Sequence, residues 1–163
     1  MDFLRHTLAT LAYRAEKALR DPPPGFEAFR PASQCRPALA IVAHMGDLME
    51  WGERMAHGER RWEVAPQPSW DAAVDRFFRA LAALDGALAA RVTEPLPLEV
   101  IFQGPIADAL THVGQLAMMR GMAAAPVRPE SYASARITVG RVGRDQDPER
   151  REFDGDASPQ GQS

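Results

Sequence analysis

The sequence predicts an all-α protein built as a four-helix bundle. Three observations carry that prediction. Four stretches place apolar residues at helical spacing, each long enough for several turns. The breaks between them hold prolines and polar runs that stop helices. Polar side chains with metal-binding chemistry sit inside two of the four stretches, among their apolar residues.

Helix one is expected over 2–20. Phe3, Leu4, Leu8, Leu11, Ala12, Ala15 and Leu19 make its apolar face, with Arg5, Arg14, Glu16 and Lys17 on the other side. DPPPG at 21–25 ends it, because consecutive prolines cannot continue a helix. The loop 21–35 is long for adjacent antiparallel helices, so it suits a crossing over the end of a bundle.

Helix two is expected from Pro37 to Ala56, with Ser33 or Gln34 as a cap. Leu39, Ile41, Val42, Met45, Leu48, Met49 and Met55 are apolar over a broad arc, and His44 sits in the middle. Gly46 and Gly52 each weaken it by ~1 kcal/mol relative to alanine. A polar loop at 57–68 follows, with Trp62 expected to fold back onto the helices. Ser69 caps helix three, which runs to near Arg91 with Trp70, Val74, Phe77, Phe78, Leu81, Leu84 and Leu88 on its apolar face.

Residues 93–103 read as an extended connection. Helix four then runs from Gly104 to Ala125, with Pro105 at its first position and Pro126 just past its end. Ile106, Leu110, Val113, Ala117 and Met118 form its apolar face. LEVIFQGP at 98–105 resembles the recognition site of picornavirus 3C proteases; directly feeding a helix in mid-chain, it reads as coincidence. Ile137, Val139 and Val142 suggest a short extended piece on the bundle. The domain is therefore placed at 1–144, with 145–163 as a polar, disordered tail.

Composition narrows the function classes. The 163 residues suit one domain with a sizeable core. A net charge of −3 argues against a nucleic-acid groove. No run approaches the ~18 apolar residues of a membrane span. A single cysteine, Cys35, excludes an intrachain disulfide, and the amphipathic N-terminus lacks a signal-peptide core, so the expected location is cytoplasmic. No base stands near Cys35 in sequence to activate it. His6, His57 and Arg120 read as solvated surface residues.

The chemistry concentrates in helix four. Asp108 and His112 are four residues apart, which sets a carboxylate and an imidazole side by side on one face. A third ligand must come from elsewhere, and His44 on helix two is placed for it. Three ligands with an open position form a catalytic rather than a structural site. A rival reading makes Asp108 an ordinary first-turn acid at a helix N-terminus. Trp51 shares a face with His44, and Gln115 and Met119 share one with Asp108 and His112.

IVAHMGDLMEW at 41–51, followed by ADALTHVGQLAMMR at 107–120, resembles the DinB-like superfamily, damage-inducible protein B and its relatives. The likeness spans about residues 2–125. Those proteins are four-helix bundles that usually hold one divalent metal through three side chains. The resemblance implies one ligand at His44, in an xxHxxDL setting that includes Asp47. It implies two more on helix four, in a pattern often written HxxxHxGQ, where Asp108, His112, Gly114 and Gln115 stand. Asp108 departs from that pattern, since many relatives carry histidine. Mycothiol-dependent maleylpyruvate isomerases in the group use two histidines and a carboxylate, so the set is chemically compatible.

The resemblance implies a zinc or nickel enzyme that transfers bacillithiol, mycothiol or glutathione to an electrophile, or that hydrolyses its substrate. Asp47 is a candidate partner orienting a ligand, and otherwise a surface acid. The alternative from another class is a non-catalytic, stress-linked binding or scaffold bundle with a structural metal or none. A third reading is an apolar-ligand binder whose pocket lies around Trp51 and Met119. Relatives are often two-fold dimers. Phe77 and Phe78 lie ~100° apart on their helix, so one is expected at the edge of the core, covered by a partner in a homodimer.

Overall fold

The computed structural model describes residues 2–66, 69–90 and 96–153. These are all-helical, with no strand among the described residues; one isolated antiparallel bridge joins Glu130 and Glu152. Three long helices come first: α1 (Asp2–Leu19), α2 (Ala38–Ala56) and α3 (Trp70–Ala90). A further helical run joins α4 (Leu98–Ile101), a π-helical segment (Phe102–Ile106) and α5 (Ala107–Met122). A 3-10 turn, Phe26–Ala28, sits in the first long loop.

The packing follows from the apolar stripes. α2 packs most extensively on α3 and also on α5, while α1 packs on α3 and α5. α1 and α2 make little contact with each other, so the loop between them must cross the assembly. Phe26 anchors that loop by burying its ring against Trp70, 5.6 Å away centroid to centroid. Leu8 and Leu11 on α1, Met45 and Met49 on α2, Leu81 and Leu84 on α3, and Ile106 on the π-helical segment are fully buried together.

Several sequence expectations change. The fourth helical run begins at Leu98, so Pro105 lies inside it rather than at its first position. A mid-helix proline removes one N–H and crowds the carbonyl four residues back. The π turn accommodates this by widening the backbone; beyond it Ala107 N–H reaches Phe102 O, five residues back. Gly52 has a related role. A Cβ there would lie 3.0 Å from Leu84 Cδ2 and 3.3 Å from Pro105 Cγ. Its cost to helix propensity is the condition for bringing α2, α3 and the π turn together.

The caps differ as well. Pro37, in extended conformation, precedes α2, and Ser33 Oγ bonds Gln34 instead of capping. Ser69 Oγ does cap α3, accepting from Ala72 N–H at 3.3 Å. The end of α3 near Arg91 lies outside the described residues. Phe77 and Phe78 are both buried, their rings 5.0 Å apart, so neither waits at an edge for a partner. Met118, expected on the apolar face, points outward.

The tail expectation is corrected through Phe153. Lys17, the one lysine of the chain, is buried on α1. Its Nζ lies 2.6 Å from Glu130 Oε2 and 2.9 Å from Glu152 Oε1. Tyr13 O–H donates to Glu130, and Arg150 pairs with Glu16. A buried ammonium needs carboxylates around it, and the C-terminal segment supplies them. Val142 is buried and Ile137 packs on the core without forming a strand. Residues 154–163, the rest of the expected tail, lie outside the described residues.

Candidate metal centre

Helix α2 places His44 at its midpoint, half-buried, facing α5. Asp108 and His112 stand one turn apart on α5. His44 Nε2 lies 3.5 Å from Asp108 Oδ2, and His112 Nε2 lies 3.4 Å from Asp108 Oδ1. One ligand atom from each residue falls within 4.8 Å of the other two. Two ligands bound ~2.1 Å from one ion at tetrahedral angles sit roughly 3.4 Å apart. Each histidine lies near that distance from a different oxygen of Asp108, and one donor atom from each side chain falls within 4.8 Å of the other two, so the group could hold a divalent ion.

The surroundings favour ligation. His112 Nδ1 lies 2.8 Å from Gln115 Oε1. With Nδ1–H donating to that oxygen, the Nε2 lone pair is left facing Asp108. Burial first, then the neighbouring His112 and Arg36, holds the His44 pKa below its ordinary value, which favours the neutral ring that a metal ligand must be. The side chain of Asp108 is 46% exposed against 22% for His44 and 11% for His112, so the site opens on the carboxylate side. Helicity is continuous from Leu98, so Asp108 is well inside the run and is not an acid answering a free helix N-terminus.

Aromatic rings frame the opening. His44 meets His112 edge-on at 5.1 Å and Trp62 at 5.6 Å. Trp62 in turn meets Trp51 at 5.4 Å. Trp62 thus folds back from the 57–66 loop onto the ligand set. Trp51 Nε1 is buried with no hydrogen-bond partner.

The other expected residues separate. Asp47 is buried, and its Oδ1 accepts from Arg76 Nη2 at 2.7 Å and from Ala65 N–H at 3.2 Å. It is therefore neither a surface acid nor a hydrogen-bond partner of His44; it ties α2 to α3 and holds the loop bearing Trp62. Met119 lines a cavity of about 350 Å³ with His112, Gln115 and Cys35. Trp51 lines another of about 400 Å³ with Asp108. The single pocket expected around Trp51 and Met119 is thus two separate spaces, one beside His112 and one beside Asp108.

Sequence reasoning missed several residues. Arg76 reads as a polar position on α3, yet it is bidentate to Glu50 at 2.8 Å and reaches Asp47. Arg120 is buried rather than solvated, donating to Ala18 O, Arg20 O and Ala125 O. His57 is exposed beside Glu53, and His6 is exposed. Arg36 and Trp62 line a cavity of about 700 Å³ that His44 borders. The only sequence signal for that cavity was the tryptophan in an otherwise polar loop.

Comparison of the chain with protein-family models, with curated proteins and with solved structures finds no match. No helix among the described residues is long and apolar enough to cross a membrane.

Proposed function

We propose that the chain is a DinB-like four-helix bundle holding one divalent ion, zinc or nickel, between His44, Asp108 and His112. On this reading it is a cytoplasmic, metal-dependent enzyme that transfers a low-molecular-weight thiol to an electrophile or hydrolyses its substrate. The observation that carries the proposal is the convergence of three ligand atoms within 4.8 Å. When bound, the metal would lower the pKa of a thiol or water beside it.

The chain's own residues have defined parts. Gln115 fixes the tautomer of His112. Trp62 shields His44 from bulk water, and Asp47 holds the loop that carries Trp62. The exposure of Asp108 leaves the site open, which favours an enzyme over a closed structural centre. A two-fold homodimer goes with the family likeness alone, since Phe77 and Phe78 are both buried and neither stands at the edge of the core. Sedimentation equilibrium at tens of micromolar tests it, and a monomer mass removes it.

Elemental analysis of untagged protein, purified without chelator, tests the metal. Close to one ion per chain is expected, His112→Ala should abolish it, and Asp108→His should keep or raise affinity. Wild-type metal content in His112→Ala would remove this site.

A further inference from the structure

The cavity of about 700 Å³ beside His44 falls within the size range of small-molecule sites, about 300–1,000 Å³. Its walls are mainly apolar: Leu39, Ala40 and Ala43 from α2, and Trp62 and Val64 from the loop opposite. Trp62 and Val64 are exposed, so the loop offers large apolar groups to whatever fills the space. Such groups lose the least when an apolar guest covers them.

The charges around this cavity are unequal. Asp47 contributes a carboxylate already answered by Arg76. Glu27 lies on the exposed rim, as do Arg30 and Arg36. Among the described residues Arg36 has no ion-pair partner, and it borders both this cavity and the smaller one beside His112. A guanidinium presents a planar fork of donors suited to carboxylate, sulfonate or phosphate.

We propose that this cavity binds a flat apolar molecule carrying one anionic group, its ring system between Ala40 and Trp62 and its anion on Arg36. The proposal rests on the metal reading only for its consequence, that the bound molecule is the electrophile or substrate set against His44. Binding itself needs no metal.

The test uses the full chain after chelator treatment, titrated by fluorescence with 1-anilinonaphthalene-8-sulfonate and with its uncharged analogue N-phenyl-1-naphthylamine. The sulfonate should bind about tenfold more tightly or better, the effect of one charge-assisted contact. Arg36→Met, a change at an exposed position, should erase that preference while leaving the neutral probe unaffected. Ala40→Phe should weaken both probes about tenfold by filling the space, with unchanged circular dichroism. Equal affinities for the two probes in the wild type, or a sulfonate preference that survives Arg36→Met, would overturn the proposal. So would unchanged binding in a folded Ala40→Phe. Metal content is measured separately on the same wild-type protein. Absence of metal there would sink the metal reading and leave the probe result standing.

Discussion

His112 Nδ1 and Gln115 Oε1 lie 2.8 Å apart, one turn from each other on α5. That contact decides which imidazole nitrogen faces Asp108. Gln115 is exposed, so Gln115→Leu should leave the fold intact. Its removal frees the ring to rotate and to take the other tautomer. Zinc or nickel affinity, measured by chelator competition, should fall by about 10–100-fold. An unchanged affinity would mean that packing alone orients His112.

Arg76 answers two carboxylates of α2 from its place on α3. Its Nη2 reaches Asp47 at 2.7 Å, and it is bidentate to Glu50. Arg76→Met leaves Asp47 buried with only the Ala65 N–H for company. Breaking such a pair costs about 3–5 kcal/mol, readable in urea denaturation. Adding Asp47→Asn to Arg76→Met should recover part of the loss, because the orphaned charge is then gone. A double variant no more stable than Arg76→Met would show that Asp47 is not the group left unanswered.

The helices were legible because their apolar periodicity is strong, and the closeness of Asp108 and His112 was legible because they share one helix face. Partners across the packing were not. Lys17 falls on the charged side of a helical projection, yet a segment more than a hundred residues downstream covers it with Glu130 and Glu152. Nothing local in the sequence announces that cover. Pro105 misled for a different reason. A proline reads as a helix start, and only the π turn allows it to stand inside one. The cavity wall was hidden because Trp62 and Arg36 lie on loops, where periodicity carries no information.

Tyr13 gives a prediction at alkaline pH. Burial first, then its hydrogen bond to Glu130, pushes its pKa from 10.0 up to about 12. A group whose folded pKa is raised contributes stability fully present below the unfolded value and lost as pH rises through the folded one. Unfolding free energy should therefore fall between roughly pH 10 and 12. Tyr13→Phe should flatten that part of the profile, though its stability is lower throughout. Parallel profiles for the two proteins would assign the alkaline loss to another group.

Glu130 gives the matching prediction in acid. Burial raises its pKa, but hydrogen bonds from Lys17 and Tyr13 outweigh it, and the net direction is down. Its contribution is thus present above the unfolded carboxylate pKa and lost as pH falls through the lower folded value. Glu130→Gln should be less stable at neutral pH and lose less on acidification than the wild type. If acid unfolds the chain with equal steepness in Glu130→Gln, the carboxylate does not hold the segment.

The LEVIFQGP run supplies a probe of local opening. A 3C-type protease needs its recognition sequence extended across the bond between Gln103 and Gly104. Here that bond lies within the π-helical segment Phe102–Ile106. Pro105 is buried against the Gly52 side of α2, and Gly104 faces the ring of Trp51. Extending the segment would break the helical run and withdraw Pro105 and Ile106 from the core. The native chain should therefore resist 3C protease, while urea near the unfolding midpoint should permit cleavage into two fragments. Gly52→Leu, which crowds Pro105 and Leu84, should speed native-state cleavage by raising the open population. Rapid cutting of the wild type in buffer would mean that the π turn opens locally at little cost, and the helical run would then have to be redrawn from Ala107.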